Sequence, residues 1–253
     1  QSISKASPLY WLSRLRVAEV YEVSGNLAAA ADLLQDLSDE PATKAPSLIA
    51  LGDIQRRQSD FDGAITAYSR ALDAQRGDSG KAPVLYARAL AYHGKNDWKL
   101  AEQDLQTALS HQPDNPQILN TLGYSWAERG ENLERAADYL RRAVTLKPDD
   151  GAIMDSYGWV HYRKGDFVTA IEWLEKAVAA APTDSTILDH RGDAYWRRNR
   201  HVEAQFQWQR ARDLSNDAIV RGQLELKITQ GLGDMQQGGA VRPEIAQQQE
   251  TKI

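Results

Sequence analysis

Cysteine is absent from this chain of 253 residues. That removes disulfides, thiolate nucleophiles and Cys-ligated zinc, but it leaves the compartment open, because cytosolic and exported proteins alike can lack cysteine. Long apolar runs are missing as well: no stretch approaches the roughly 18 to 20 residues that a membrane-spanning helix needs. Neither sign of charge dominates, with 30 Lys+Arg against 35 Asp+Glu and a net charge of −5. The chain therefore has no general attraction for a phosphate backbone or an anionic bilayer, and no nucleic acid is expected as a partner. The doublets Arg56-Arg57, Arg141-Arg142 and Arg197-Arg198 are scattered among acids rather than gathered into a stripe. A methionine start and a basic, apolar leader are also lacking, since the chain opens on Gln1. The expectation is a processed or truncated piece, with any export signal or lipid anchor in a missing upstream part.

What is present is ordinary in amount, 42% hydrophobic and 26% charged residues, but it is ordered as a repeat. Aligned on small residues, six blocks begin at Trp11, Ala45, Ala82, Pro116, Gly151 and Ser185, mostly 34 residues apart. Alanine recurs at position 20 as Ala30, Ala64, Ala101, Ala136, Ala170 and Ala204, once the fourth block absorbs one inserted residue. Position 27 holds Leu37, Ala71, Ala108, Ala143, Ala177 and Ala211, and position 8 holds Ala18, Gly52, Ala89, Gly123, Gly158 and Gly192. Two antiparallel helices approach within about 8 to 10 Å only where the crossing residues are small. Large residues fill the gaps at position 24 (Leu34, Tyr68, Leu105, Leu140, Leu174, Trp208). Pro113, Pro148 and Pro182 end second helices, while Gly25-Asn26, Gly130-Glu131-Asn132 and Gly165-Asp166 punctuate the turns.

These columns resemble the tetratricopeptide repeat, a helix-turn-helix unit with Leu-Gly at positions 7 and 8, Ala at 20 and 27 and Pro at 32. The resemblance covers residues 11–218. It implies an all-α, right-handed solenoid of six repeats (11–44, 45–81, 82–115, 116–150, 151–184 and 185–218) plus a C-terminal capping helix at 219–232. Residues 1–10 are read as a lead-in, 233–253 as a disordered, Gln- and Gly-rich tail, and the loop from Arg76 to Lys81, which lengthens one spacing, as a flexible joint. Two departures stand out: Arg88 and Arg191 occupy position 7, and Arg76 and Asn216 occupy position 32.

No constellation for chemistry emerges. Gly77-Asp78-Ser79-Gly80 copies the tetrapeptide around a serine-protease nucleophile, but it lies in a polar loop between helices, without the histidine base and orienting acid that such a nucleophile needs. His93, His111, His161, His190 and His201 include no pair four residues apart on one helix face. No catalysis, cofactor or metal is expected.

A binding face is the better candidate. In the tetratricopeptide family, positions 2, 5, 9 and 12 of each first helix face the concave surface. In this register the resemblance assigns to a partner-binding groove Tyr86, His93, Asn120, Tyr124, Asp155, Trp159, Tyr162, Asp189, Asp193 and Trp196. Aromatic anchors with polar tips dominate interface energetics, and the interleaved acids favour a basic or N-terminal group on a polypeptide partner. The alternative is that the same residues pack against the tail or the capping helix. On the groove reading, replacing Trp159 and Trp196 with alanine removes partner capture and leaves melting nearly unchanged. A carboxylate clamp of the chaperone-binding kind is disfavoured, because positions 5 and 9 lack its lysine and asparagine pairing. Trp98 and Trp173, on second helices, are read as packing between repeats.

Three stretches, Leu119-Asn120-Thr121-Leu122-Gly123-Tyr124, Lys147 through Val160 and Asp189-His190-Arg191-Gly192-Asp193-Ala194-Tyr195-Trp196, are similar to the C-terminal repeats of large proteobacterial tetratricopeptide lipoproteins. That resemblance implies a periplasmic adaptor, outer-membrane-anchored in the full-length protein, whose partner is a carboxyl-terminal processing protease or its substrate. A cytoplasmic location is the alternative. Two other functions stay open: the repeat region of a larger enzyme whose catalytic domain is not in this chain, and a self-association module.

Overall fold

Thirteen α-helices and the turns between them account for the described residues, 7–75, 77–78 and 80–233 of a computed structural model. The first and second helices of six repeats run in strict alternation: α1 Pro8–Val23, α2 Leu27–Leu37, α3 Lys44–Arg57, α4 Phe61–Ala74, α5 Lys81–Gly94, α6 Trp98–His111, α7 Pro116–Arg129, α8 Leu133–Leu146, α9 Gly151–Arg163, α10 Phe167–Ala180, α11 Ser185–Arg197 and α12 His201–Leu214. A thirteenth helix, α13 Ala218–Gln230, closes the series. This is the all-α repeat architecture expected, about six repeats and a cap. The lead-in and tail lie, for residues 1–6 and 234–253, outside the described residues, as do Arg76 and Ser79 of the long loop. The helices fall into two compact units, one ending at Pro113 and the other starting at Asp114.

Every turn from first to second helix is built the same way. The residue at position 15 has a left-handed backbone in all six repeats: Gly25, Ser59, Asn96, Gly130, Gly165 and Asn199, with φ between 58° and 81°. Glycine adopts this region freely and asparagine tolerates it, so the three glycines are the visible part of a column that sequence alone leaves half hidden. The next residue caps the second helix in four repeats: Asn26, Asp60, Asp97 and Asp166 each accept a hydrogen bond from the backbone three residues on. The inserted residue of repeat 4 is absorbed here, where Asn132 is left-handed as well. First helices from α7 onward are capped by Asn115, Asp150, Asp184 and Asp217.

The small-residue columns sit where the two helices of a repeat cross. A methyl group added at Gly123 or Gly158 would lie 2.7 or 2.8 Å from the Leu140 or Leu174 side chain, and 3.2 Å from the carbonyl at position 20. At Gly52 and Gly192 the obstacle is an aromatic ring, Tyr68 at 2.7 Å and Trp208 at 2.4 Å. In those two repeats the ring passes over the glycine to reach the acid beside it. The Tyr68 hydroxyl donates to Asp53 Oδ1 at 2.6 Å, and Trp208 Nε1 donates to Asp193 Oδ1 at 2.9 Å. Gly192→Ala is therefore expected to displace the Trp208 ring, break its bond to Asp193 and lower stability by about 1 to 3 kcal/mol in urea unfolding; an unchanged midpoint would refute the close approach.

The arginines at position 7 are paired departures. Arg88 donates through Nε and Nη2 to both Asp104 oxygens, at 2.6 and 2.7 Å, and through Nη1 to Ser69 Oγ at 2.9 Å. Arg191 donates to Gln207. Asp104 and Gln207 both occupy position 23, so each polar residue on a first helix is matched by one on its own second helix. The same two positions in repeat 5 hold Tyr157 and Trp173, edge to face with centroids 5.0 Å apart. That contact gives Trp173 a packing role.

Candidate functional site

The residues assigned to the groove divide into two sets. In the first unit, Tyr86 and His93 lie half-buried on α5. In the second unit, Tyr124, Asp155, Trp159, Tyr162 and Asp193 are buried, with Asp155 2% and Trp159 3% exposed, whereas Asn120, Asp189 and Trp196 keep part of their surface. The expected strip of open anchors is thus corrected for its central residues. The reason is the spacing of the first helices: α7 packs directly on α9, and α9 on α11, so the side chains at positions 9 and 12 cover one another.

These side chains bond into a continuous wall across the first helices of the second unit. Trp159 stacks on Tyr162, centroids 4.6 Å apart at 8°, and on His190, 4.0 Å apart at 15°. Its indole N–H donates to Glu128. The His190 ring contacts both Asp155 oxygens through Nδ1, at 2.9 and 3.0 Å. Arg163 Nη1 donates to the Glu128 carbonyl at 2.6 Å, and one repeat later Arg197 Nη1 donates to the Gly233 carbonyl at 2.8 Å. Arg197 Nε reaches the Tyr162 hydroxyl at 3.2 Å.

The capping helix continues this wall. Ile219 stands 34 residues after Ser185, so α13 has the register of a seventh first helix and Lys227 occupies its position 9. Lys227 Nζ lies 2.6 Å from Asp189 Oδ1 and 2.8 and 3.0 Å from the two Asp193 oxygens. Trp196 sits beneath Gly231, where an added methyl would fall 2.0 Å from the ring, and it stacks on His201 with centroids 4.1 Å apart. The alternative weighed from sequence, packing against the capping helix, therefore describes Asp189, Asp193 and Trp196.

Charge in this wall is shifted by burial and neutralised by neighbours. Burial raises the Glu128 carboxyl above its ordinary value, against the pull of His190 and the Trp159 N–H. Burial likewise pushes Asp193 up to about 6, although Lys227 holds it lower than burial alone would. The Tyr162 hydroxyl is pushed up to about 12, by burial first and then by Asp193. Burial alone would lower His190, but the Asp155 carboxylate and its hydrogen bond raise it to about 9. His190 is then a cation at neutral pH, stacked on an indole face. Because its folded-state value is raised, its stabilising contribution is complete below the unfolded value near 6.5 and is lost as pH rises through about 9. Urea unfolding at pH 7 and pH 10 should show that loss in the wild type, and less of it in His190→Gln; equal slopes in the two chains would rule out a charged His190.

Sequence reasoning missed Glu128, Arg163, His190 and Arg197, and its reading of Lys227 as a solvent-facing residue of the capping helix is corrected by the pairing with Asp189 and Asp193. Glu128, Arg163 and Arg197 all occupy position 13, one helical turn beyond position 9, so extending the 5-to-9 step by four more residues would have found that column.

The comparisons with known proteins agree with this architecture. Models described as Tetratricopeptide repeat match residues 47–82 and, in two overlapping passes, 86–151 and 131–185, together more than half of the chain. The TPR repeat-containing protein PA4667 of Pseudomonas aeruginosa is 39% identical over 87 residues, which are 34% of this chain and 15% of that protein. The chain covers well under two thirds of the length of the curated relatives it matches. Among solved structures, a tetratricopeptide repeat protein from Parabacteroides merdae superimposes with a TM-score of 0.73 at 19% identity, covering 87% of this chain and 85% of that one. YrrB, a TPR protein with an unusual peptide-binding site, superimposes with a TM-score of 0.56 at 20% identity, over 77% of this chain and 98% of its own.

Proposed function

This chain belongs to the tetratricopeptide repeat family, and from that premise we propose that it is a non-catalytic scaffold holding a polypeptide partner along the inner face of its first helices. The family fold is generally one for protein–protein interaction. The observation that carries the reading is the way positions 5, 9, 12 and 13 share one side of the first helices. In the second unit they are bonded into a rigid lattice, and in the first unit Ile49, Asp53, Tyr86, Leu90 and His93 remain half-buried. The lattice itself is buried, but it fixes the first helices that carry Asn120, Asp189 and Trp196, which keep part of their surface, and groups held in place beforehand lose less entropy when a ligand docks. The same fold carries a peptide-binding site in YrrB, which supports a polypeptide as the ligand.

The finer reading is an exported adaptor in the periplasm that brings a carboxyl-terminal processing protease to its substrates. It is supported by the resemblance of Leu119–Tyr124, Lys147–Val160 and Asp189–Trp196 to proteobacterial lipoproteins of that kind. Among the described residues no helix is long and apolar enough to cross a membrane, so on this reading an anchor lies elsewhere in the full-length protein.

Affinity capture from separated periplasmic and cytosolic extracts tests both levels. The wild-type chain is compared with Ile49→Glu/Leu90→Glu, a pair on the half-buried inner face. A periplasmic protease or envelope protein held by the wild type and lost by a variant that still melts cooperatively is the expected result. A partner held equally by both chains would place the contact off the inner face, and a cytosolic partner would discard the exported adaptor.

A further inference from the structure

The Gly-Asp-aromatic arrangement described for the fold occurs twice, and only one copy has a lysine in place. In repeat 6, Asp193 is fixed from behind by Trp208 and takes the Lys227 ammonium from position 9 of the next first helix, at 2.8 and 3.0 Å. In repeat 2, Asp53 is fixed from behind by Tyr68 over Gly52 in the same positions, 9, 24 and 8. Position 9 of the next first helix is there Leu90, whose hydrocarbon side chain cannot supply a charge. Among the described residues Asp53 forms no ion pair. Arg57 is engaged with Glu22 at 2.5 Å, and Arg56 and Arg57 act on Asp53 through their fields.

We propose that Asp53, on the inner face of α3, is the seat for a lysine side chain of a bound polypeptide, whose ammonium takes there the place that Lys227 takes at Asp193. The chain's own repeat 6 shows which ligand the arrangement accepts. The Tyr68 hydroxyl occupies one carboxylate oxygen at 2.6 Å, fixing the group's orientation, and the second oxygen remains for the ligand. Position 5, which contributes the second acid Asp189 in repeat 6, is Ile49 in repeat 2. Ile49 and Leu90, both half-buried, offer apolar surface of the kind along which a lysine's methylene stem packs while its head stays polar. The partner segment is therefore a lysine between apolar residues rather than a polybasic run. Burial holds the Asp53 carboxyl above its ordinary value, against the Tyr68 bond and the two arginines and with a smaller push from Glu22, so an arriving cation favours its charged form.

This rests on the scaffold reading for the partner but not for the seat itself, and the experiment separates the two. The first probe is a fluorescein-labelled nonapeptide with a central lysine between leucines, compared by anisotropy with its glutamine counterpart on the full chain. At least tenfold tighter binding of the lysine peptide is expected, and Asp53→Asn should remove the preference while its amide oxygen still accepts from Tyr68. The second probe needs no partner. Leu90→Lys puts a lysine at the position that Lys227 holds in α13, and Leu90→Gln is its uncharged control, since both give up the same leucine packing. The lysine variant should melt a few degrees above the glutamine variant and lose the preference for the lysine peptide. Equal binding of the two peptides by the wild type, a preference that survives Asp53→Asn, or a Leu90→Lys chain no more stable than Leu90→Gln would each overturn the seat. Loss of capture from extracts with these results intact would instead overturn the scaffold reading alone.

Discussion

Replacing Trp159 with alanine should cost the second unit about 3 to 5 kcal/mol, a large share of the roughly 5 to 15 kcal/mol that keeps a typical domain folded. Three losses combine. The indole is 3% exposed, so its removal leaves a cavity that neighbouring helices fill only in part. Its faces cover Tyr162 and His190, so two stacked contacts go with it. Its N–H is the donor to Glu128, a half-buried carboxylate whose pKa burial already raises, and losing that hydrogen bond leaves the group to the fields of His190 and Arg163. Trp159→Phe keeps much of the stacking and loses the donor, so it should lie between alanine and wild type. Urea unfolding followed by circular dichroism checks the order. If Trp159→Ala melts like the wild type, the residue stands in an open groove after all, as its position in the repeat alone suggests.

How much of this is legible in the sequence depends on which direction in the structure is asked about. Within a repeat, nearly everything follows from spacing: Gly158 lies against Leu174 and the Ala170 carbonyl because small residues must stand where two helices cross, and their period is visible in the sequence. Even the departures are legible in pairs, since Arg88 with Asp104 and Arg191 with Gln207 change together at positions 7 and 23. Between repeats, position tells which way a side chain points but not how far away the next helix stands. Position 9 turns Trp159 toward the inner side, yet nothing in the spacing shows that it is covered there, because the approach of α9 to α7 and α11 is set by the whole packing of the unit. Lys227 lies within reach of the same arithmetic. Counting 34 residues past Ser185 gives α13 a first-helix register and puts a lysine opposite the two acids, a step that treating α13 merely as a cap conceals.

That lysine carries the second large effect. Lys227→Met keeps the length and apolar stem of the side chain and removes only its charge, leaving Asp189 and Asp193 facing each other with their side chains 18% and 9% exposed. Breaking one side of a buried ion pair costs about 3 to 5 kcal/mol; Lys227 itself is 23% exposed, so water relieves part of it and about 2 to 3 kcal/mol is expected. The pH dependence distinguishes this from a packing defect. Asp193 already sits near pH 6 because burial outweighs the pull of Lys227, and without the lysine it must rise further. A carboxyl raised in the folded state contributes stability that is complete below its unfolded value, near 3.8, and lost as pH rises through the folded one. The variant should therefore be closest to the wild type near pH 5 and fall progressively behind it up to pH 8. A deficit of constant size across that range would mean that Lys227 acts through packing alone, and the electrostatic account of how α13 is joined to the inner wall would fail.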